Sequence, residues 1–184
     1  MLKPLLIGLS LVLVAMPMSG TATEAAAAST SAVKTLEWMD LLPDDDREKM
    51  ENLPQVSHEG GEGAGSAINK ASSQFGDVMQ SAKVRSELNG KKVRLPGFVV
   101  PIEYDAEQNI TSFFLVPYFG ACIHVPPPPP NQIVFVTNAK GLKADMIYNP
   151  FWIEGTLTTD TMSHDLANSA YSLKADKISE YDGE

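Results

Sequence analysis

The residue types best suited to chemistry are a cysteine and a histidine two positions apart, Cys122 and His124, shortly before five consecutive prolines. Proline disfavours the helical conformation in the residue before it, so this segment is expected to be extended. In an extended chain, side chains at positions i and i+2 share a face and lie roughly 7 Å apart. A thiolate and an imidazole that converge in this way form half of a site for zinc or cuprous copper.

The other half of the site must come from elsewhere, because zinc normally takes three or four protein ligands. The candidates are His58, Glu103, Asp105 and His164. A homodimer is the alternative, since two symmetric copies of Cys122 and His124 would complete a tetrahedron. His164 also follows Met162 by two positions, and a thioether ligand there would favour copper.

Two other interpretations of Cys122 stay open. Cysteine is among the most buried residue types, so Cys122 can fill the core while His124 bonds a backbone carbonyl. A thiol-dependent enzyme is the weaker alternative, because a catalytic Cys–His pair usually comes from separate segments. The sequence also contains no Gly-x-Ser-x-Gly or His-Glu-x-x-His motif, so we expect a binding protein and not an enzyme.

Composition limits the partners. The 184 residues include 14 Lys+Arg and 23 Asp+Glu, a formal net charge of -9. Nucleic acids and anionic membrane surfaces attract clustered basic side chains, so this balance disfavours both as partners. A single cysteine excludes an intrachain disulfide and a four-cysteine metal site.

The N-terminus resembles an export signal. Lys3 precedes the apolar run Leu5–Met16, and small residues follow at Ser19–Ala22. The run is shorter than the roughly 20 residues of a transmembrane helix and is followed by Pro17. We therefore predict a signal peptide over residues 1–22 and a soluble, periplasmic protein with no membrane insertion once the signal is removed.

Residues 23–89 are expected to form an N-terminal extension. Trp38, Leu41 and Leu42 suit a clip that packs onto the main domain, and the acidic run at 44–46 suits the start of a helix over Asp45–Asn52. Residues 56–66, which include His58, contain four glycines between positions 60 and 65. Such a density of glycine predicts a loop or hinge.

From Gly90 onward the sequence predicts strands. Val93 and Leu95 alternate with polar residues, and Pro96–Gly97 predicts a bulge or sharp bend in that strand. The predicted strands are Lys92–Ile102, Ile110–Tyr118, Gln132–Thr137, Phe151–Leu157 and Tyr171–Ile178, with a short helix within Thr159–Ser169. We therefore predict a mainly β protein, with a small five-stranded OB-like barrel over residues 90–184 and an N-terminal helical extension. An SH3-like barrel or an irregular β-sandwich is the alternative.

The proline run Pro126–Pro130 predicts a polyproline II rod of about 15 Å. Its simplest role is that of a rigid spacer. A rod of this kind is also a ligand for aromatic grooves, so it is a candidate docking element.

Several motifs together resemble one known family. They are Trp38–Pro43, Gly97–Pro101, Phe114–Tyr118, Gly120–Val125 with the following Pro126–Gln132, and Trp152–Leu157. In these motifs the chain resembles the bacterial exported family catalogued as domain of unknown function 3299, over roughly Leu36 to Tyr181. The family has no established activity. Some of its members are encoded beside a MacB-like ABC transporter and belong to zinc-starvation responses, so the resemblance implies metal handling or transport assistance in the periplasm.

The sequence therefore predicts a periplasmic metal-binding accessory protein, with Cys122 and His124 as the central ligands and His58, His164 and Glu103 as the candidates to complete the site. Zinc is the expected metal and cuprous copper the alternative. An ABC transporter or another envelope protein is the expected partner. The alternative function is a metal-free interaction module, in which the OB-like barrel and the proline rod dock onto such a partner.

Overall fold

Strands dominate the structure, a computed structural model that describes residues 32–52, 73, 75–121 and 127–183. The strands are β1 (Lys34–Thr35), β2 (Lys91–Tyr104), β3 (Ile110–Val116), β4 (Val134–Thr137), β5 (Phe151–Thr158), β6 (Met162–Ser163), β7 (Asn168–Ser169) and β8 (Tyr171–Glu180). Helix α1 spans Asp44–Glu51, and short 3-10 turns occur at Trp38–Leu41, Ser86–Leu88, Pro130–Gln132 and Ala144–Met146. Residues 75–79 are also helical.

The main sheet closes on itself. Its strand order is β1-β2-β3-β4-β8-β5, and β5 pairs in turn with β2. Strands β4 and β8 are parallel, whereas the other pairs around the barrel are antiparallel. Counting β2, β3, β4, β5 and β8 as barrel strands one to five, the order is 1-2-3-5-4-1. This arrangement confirms the prediction of a mainly β, five-stranded, OB-like barrel.

Strand β2 closes the barrel because it pairs with two other strands along its length. Its first half, Lys91–Gly97, pairs with β5, and from Phe98 onward it pairs with β3. At the change of partner, a Cβ atom on Gly97 would lie 2.7 Å from the carbonyl oxygen of Val116. Only glycine allows this approach. The strand is continuous through the predicted interruption, and its register shifts occur later, beside Pro101 and Glu103.

The main core fills the barrel. Val93 and Leu95 point inward and are fully buried, as their alternation predicted. Leu36, Leu41 and Leu88 join the same cluster from the N-terminal side. The predicted clip is therefore present, and it completes the core as well as covering it.

Hydrogen bonds fix the clip to the barrel. The hydroxyl of buried Tyr171 donates to the carbonyl of Leu41 at 2.8 Å and accepts from the amide of Arg85 at 2.7 Å. Burial raises the pKa of Tyr171, which keeps this hydroxyl protonated as a donor. The indole of Trp38 donates to the carbonyl of Pro96 at 2.7 Å. Helix α1 follows, one residue earlier at each end than predicted, with three aspartates in its first turn.

One predicted element was wrong in type, and several strand ends differ from the prediction; β3, for instance, ends at Val116 and not at Tyr118. Residues 159–169 do not form a helix: β6 pairs with β7 in a hairpin, which turns Met162 and Ala167 onto the barrel wall. The third barrel strand begins at Val134 and not at Gln132. The residues before it form a 3-10 turn, where the side chains of Asn131 and Gln132 bond to the N-terminal extension.

The predicted signal peptide and the glycine-rich loop at 56–66 lie outside the described residues. Within the part of the chain that the structure describes, no helix has the length and apolarity needed to cross a membrane. The division into a signal, an extension and a barrel domain stays a prediction.

Candidate functional site

A second hydrophobic cluster lies on the outside of the barrel, and we call it the outer cluster. Its buried members are Phe114, Val116, Ala121 and Ile133, and its half-buried members are Phe98, Val100, Ile102, Phe135, Met162 and Ala167. It forms because alternate residues of β2, β3 and β4 point away from the main core. In OB-folds the outer face of the second and third strands, here β3 and β4, is the usual ligand-binding face.

The β6–β7 hairpin covers part of this face. Met162 and Ala167 pack against the outer cluster. The ring of His164 contacts the ring of Phe114 edge-on, with centroids 6.2 Å apart. A residue predicted as a metal ligand is therefore placed on the outer cluster by a hairpin that the sequence did not predict.

The two flanks of the Cys122–Pro126 segment share a hydrophobic cluster and a cavity with this hairpin. On one side, Ala121 is buried in the outer cluster with Met162 packed against that cluster. On the other side, Pro127 and Pro128 line a cavity of about 380 Å³ together with Leu166. Cys122 and His124 themselves lie outside the described residues, as does His58.

His164 is exposed and has one nitrogen engaged. Its Nδ1 accepts a hydrogen bond from the amide of Leu166 at 3.2 Å. The neutral ring then carries its proton on Nε2. His164 can bind a metal through Nδ1 in place of this bond, or through Nε2 after a change of tautomer.

The two predicted carboxylate candidates already have partners. Glu103 is exposed at the end of β2, and its Oε2 accepts a hydrogen bond from Ser112 at 2.9 Å. Asp105 closes the turn between β2 and β3, where it accepts bonds from the side chain of Asn109 at 2.9 Å and from the amides of Asn109 and Glu107 at 2.8 and 3.0 Å. These bonds, led by that from the Asn109 side chain, lower the pKa of Asp105. Asp105 therefore stabilises the turn through these hydrogen bonds.

Across the described ranges, no three His, Cys, Asp or Glu side chains come together closely enough to hold a metal. The structure thus places His164 against Phe114 in the outer cluster, which also contains Ala121. It leaves Glu103 at the β2–β3 end of the barrel, bonded to Ser112. A three-ligand site would need residues from outside the described ranges, such as Cys122, His124 or His58.

Sequence reasoning missed the role of the polar pair that ends the proline run. Asn131 is fully buried, and its side-chain amide donates to Asp46 and to the carbonyl of Lys83, both at 3.1 Å. Buried Asp46 also accepts a bond from Ser81. Gln132 donates to the carbonyl of Trp38 at 2.8 Å. Two adjacent amide side chains after a rigid rod were the available signal, since buried amides must find partners.

A second feature missed from the sequence is an exposed aromatic patch, formed by Tyr118, Phe119 and Tyr148. Their exposed fractions are 47%, 56% and 69%. The rings of Phe119 and Tyr148 have centroids 5.9 Å apart, and Phe119 also contacts Phe98 of the outer cluster at 5.9 Å. The patch therefore continues the outer cluster into solvent.

Comparison with known proteins identifies the family. The family model for DUF3299, proteins of unknown function, matches residues 38–180. The chain belongs to this family. The matched range begins at Trp38 in the clip and ends at Glu180, the last residue of β8.

A solved structure agrees with this assignment. A crystal structure of a DUF3299 family protein from Pseudomonas aeruginosa PAO1 matches with a TM-score of 0.62 and 38% identity, over 83% of this chain and 99% of that one. A putative aspartyl-tRNA synthetase from Leishmania major Friedlin matches with a TM-score of only 0.29 and 19% identity, over 52% of this chain and 18% of that one, which is too weak to carry an argument. Curated proteins gave no match.

Proposed function

We propose that this DUF3299 protein is a periplasmic metal-binding accessory protein, in which Cys122 and His124 bind zinc and His164 supplies a third ligand. The observation that carries the proposal is the position of His164. It lies against Phe114 in the outer cluster, which also contains Ala121, the residue that precedes Cys122. Of the candidates in the described residues, His164 is the one on the hairpin that packs on the outer cluster.

One thiolate and two imidazoles are a ligand set that zinc accepts. Three protein ligands leave a fourth position for water, for a ligand of a second copy or for a group on a receiving protein. An open position suits a protein that passes its metal on, and the family resemblance favours an ABC transporter or another envelope protein as the receiver. Cuprous copper is the alternative metal, with Met162 on the same hairpin as its thioether ligand.

The test is the metal content of protein isolated from the periplasm without chelator, measured by mass spectrometry. The wild type is expected to carry close to one zinc per chain, and the double variant Cys122→Ser, His124→Ala to carry none. His164→Ala is expected to weaken zinc binding by at least about tenfold, since even outer-shell partners of a zinc site are worth roughly 10–100-fold.

Glu103→Gln is the matched control, because glutamine preserves the bond to Ser112 while removing the charge. Its zinc affinity should equal that of the wild type. Thermal unfolding of each variant shows whether the barrel is intact. Equal, trace metal in the wild type and in a folded double variant would overturn the proposal.

The second candidate is a metal-free binding module, and the exposed aromatic patch favours it. The proline run is poorly suited to be its contact surface, because Pro128 and Pro129 are buried and only Pro127 is exposed among the described prolines Pro127–Pro130. If this candidate is right, Cys122→Ser and His124→Ala leave partner binding unchanged. Removal of the patch rings, in contrast, abolishes binding of a transporter or another envelope component. Binding of the purified partner, once found, is compared between these two sets of variants.

A further inference from the structure

We propose that the exposed aromatic patch of Tyr118, Phe119 and Tyr148 is a binding site for a neutral oligosaccharide. This inference goes beyond both candidate functions, because it gives the patch a sugar ligand in place of a protein partner, and it does not depend on a metal. It follows from how rigidly the rings are held, from where they lie on the fold, and from the charge and size of the surface they form.

Phe119 is held by a tight turn. The amide of Ala121 donates to the carbonyl of Tyr118 at 3.3 Å, and Gly120 between them has a φ of +78°. A positive φ at the third position is what a type II turn requires, and it places Phe119 at the exposed second position. Buried Ala121 anchors the turn in the outer cluster. The ring of Phe119 then rests edge-on against Phe98.

Tyr148 is held from the opposite side. It follows Met146 and Ile147, which both pack against the main core. The amide of Asn149 donates to the carbonyl of Met146 at 3.1 Å, which closes the turn around Tyr148. Its ring is tilted 42° to that of Phe119. Both rings are therefore arranged before a ligand arrives, and binding loses little side-chain freedom.

The position of the patch matches the binding face of the fold. OB-folds bind oligonucleotides and oligosaccharides on the outer face of their second and third strands. Here the β6–β7 hairpin covers much of that face, since Met162 and Ala167 pack on the outer cluster. The patch is an end of the face that stays open, joined to it through the contact between Phe119 and Phe98.

Charge decides between the two ligand classes. The chain carries a formal net charge of -9, so it repels the phosphates of an oligonucleotide. The patch itself consists of phenyl and phenol rings, with no Lys, Arg, Asp or Glu among its three residues. Sugar rings offer C–H faces that pack on aromatic rings, and their hydroxyl groups remain free to bond with water or with polar neighbours such as exposed Asn149.

Size argues against a protein as the occupant. An aromatic side chain buries about 150–250 Å², so three rings that are roughly half exposed offer on the order of 300 Å². A stable protein–protein interface needs about 800 Å² from each partner. The patch therefore suits a short oligosaccharide of a few sugar units.

The experiment is a calorimetric titration of the mature protein with chitotetraose, cellotetraose and maltotetraose. At least one is expected to bind the wild type. Phe119→Ala and Tyr148→Ala are each expected to weaken that binding by about tenfold or more, as for aromatic residues at the centre of a binding surface. Phe119→Tyr, which keeps a ring, should retain binding.

Tyr104→Ala is the matched control. Tyr104 is exposed to 48%, similar to the patch residues, but it lies at the far end of β2. Its variant should bind as the wild type does. Thermal unfolding confirms that the patch variants are folded, which is expected because the substituted rings are exposed.

Three outcomes would overturn the inference. They are no binding of any of the three tetrasaccharides, binding that the patch variants leave unchanged, and patch-dependent binding of a proline-rich decapeptide or a single-stranded oligonucleotide in place of a sugar. The double variant Cys122→Ser, His124→Ala separates this site from the metal site. It should lose zinc and keep the sugar, so either property can fail without the other.

Discussion

The inner core and the outer cluster are formed by opposite faces of the same strands, and they differ in how completely they are enclosed. On β3, Phe113 and Leu115 point into the barrel, whereas their neighbours Phe114 and Val116 point out of it. The inner side chains are enclosed on all sides by strands and by the clip. The outer cluster is covered by a short hairpin and continues into exposed rings. A small barrel of this kind can therefore keep its stability on one face of each strand and present binding chemistry on the other.

The largest expected effect contrasts the adjacent residues Phe113 and Phe114, both fully buried. Phe113→Ala should lower the free energy of unfolding by about 3–5 kcal/mol, because the enclosed core cannot collapse around the cavity. Phe114→Ala should cost clearly less, since the hairpin can move inward. Urea unfolding measures both.

Zinc content adds a second measurement to this pair. Phe114→Ala removes the ring that His164 contacts, so we expect weaker zinc binding in that variant alone. Equal losses of stability in the two variants would show that the outer cluster is part of one undivided core.

A smaller effect is expected at Gly155, where β5 and β8 shift register. A Cβ atom there would overlap the backbone carbonyl of Lys174 and crowd Leu173. Gly155→Ala should therefore destabilise the barrel by about 1–3 kcal/mol, the range for overpacking. Gly76→Ala is the matched control, since a Cβ atom on helical Gly76 meets nothing within 4 Å. Urea unfolding should show no loss of stability for Gly76→Ala. A loss as large as that of Gly155→Ala would show that crowding at Gly155 is not the cause.

The smallest effect is a pH dependence at the turn that joins β2 to β3. Hydrogen bonds, first of all that from Asn109, lower the pKa of Asp105 in the folded state. A lowered carboxyl pKa adds stability above the unfolded pKa of about 3.9, and this stability is lost as the pH falls through the folded pKa. The difference in the free energy of unfolding between the wild type and Asp105→Asn should therefore be largest near neutral pH and decrease in acid. Urea midpoints measured between neutral pH and acid test this, and the difference should shrink when Asn109→Ala removes the donor.

The sequence predicted the barrel because inward residues of β2 alternate with outward ones. This alternation assigns Val93 and Leu95 to the inner face of the strand, and both are buried as expected. The same reasoning could not separate the two clusters on β3. Ile110 and residues 112–116 are all buried, so the alternation between the two faces is hidden there. An apolar run of that kind identifies a strand but not what lies on either side of it.

The candidate site was harder to predict than the fold. The hairpin at 162–169 is rich in polar residues, and only its packing on the outer cluster explains why Met162 and Ala167 turn toward the barrel. The aromatic patch joins residues from two separated parts of the chain, and their proximity depends on barrel closure. The sequence offers His164 as a ligand through its residue type and its spacing from Met162. Its neighbour Phe114 became visible only in the folded chain.

The bond between Tyr171 and Leu41 has a consequence for how the chain folds. The two residues are 130 positions apart, and Tyr171 lies at the start of β8, which comes after the other four barrel strands along the chain. Because the chain emerges from the ribosome N-terminus first, the barrel cannot close and the clip cannot form its bond to Tyr171 until β8 has been synthesised. Contacts of such long range make folding slow. The barrel is therefore completed only after β8 has been synthesised, which leaves the growing chain open until then for any machinery that handles unfolded polypeptides.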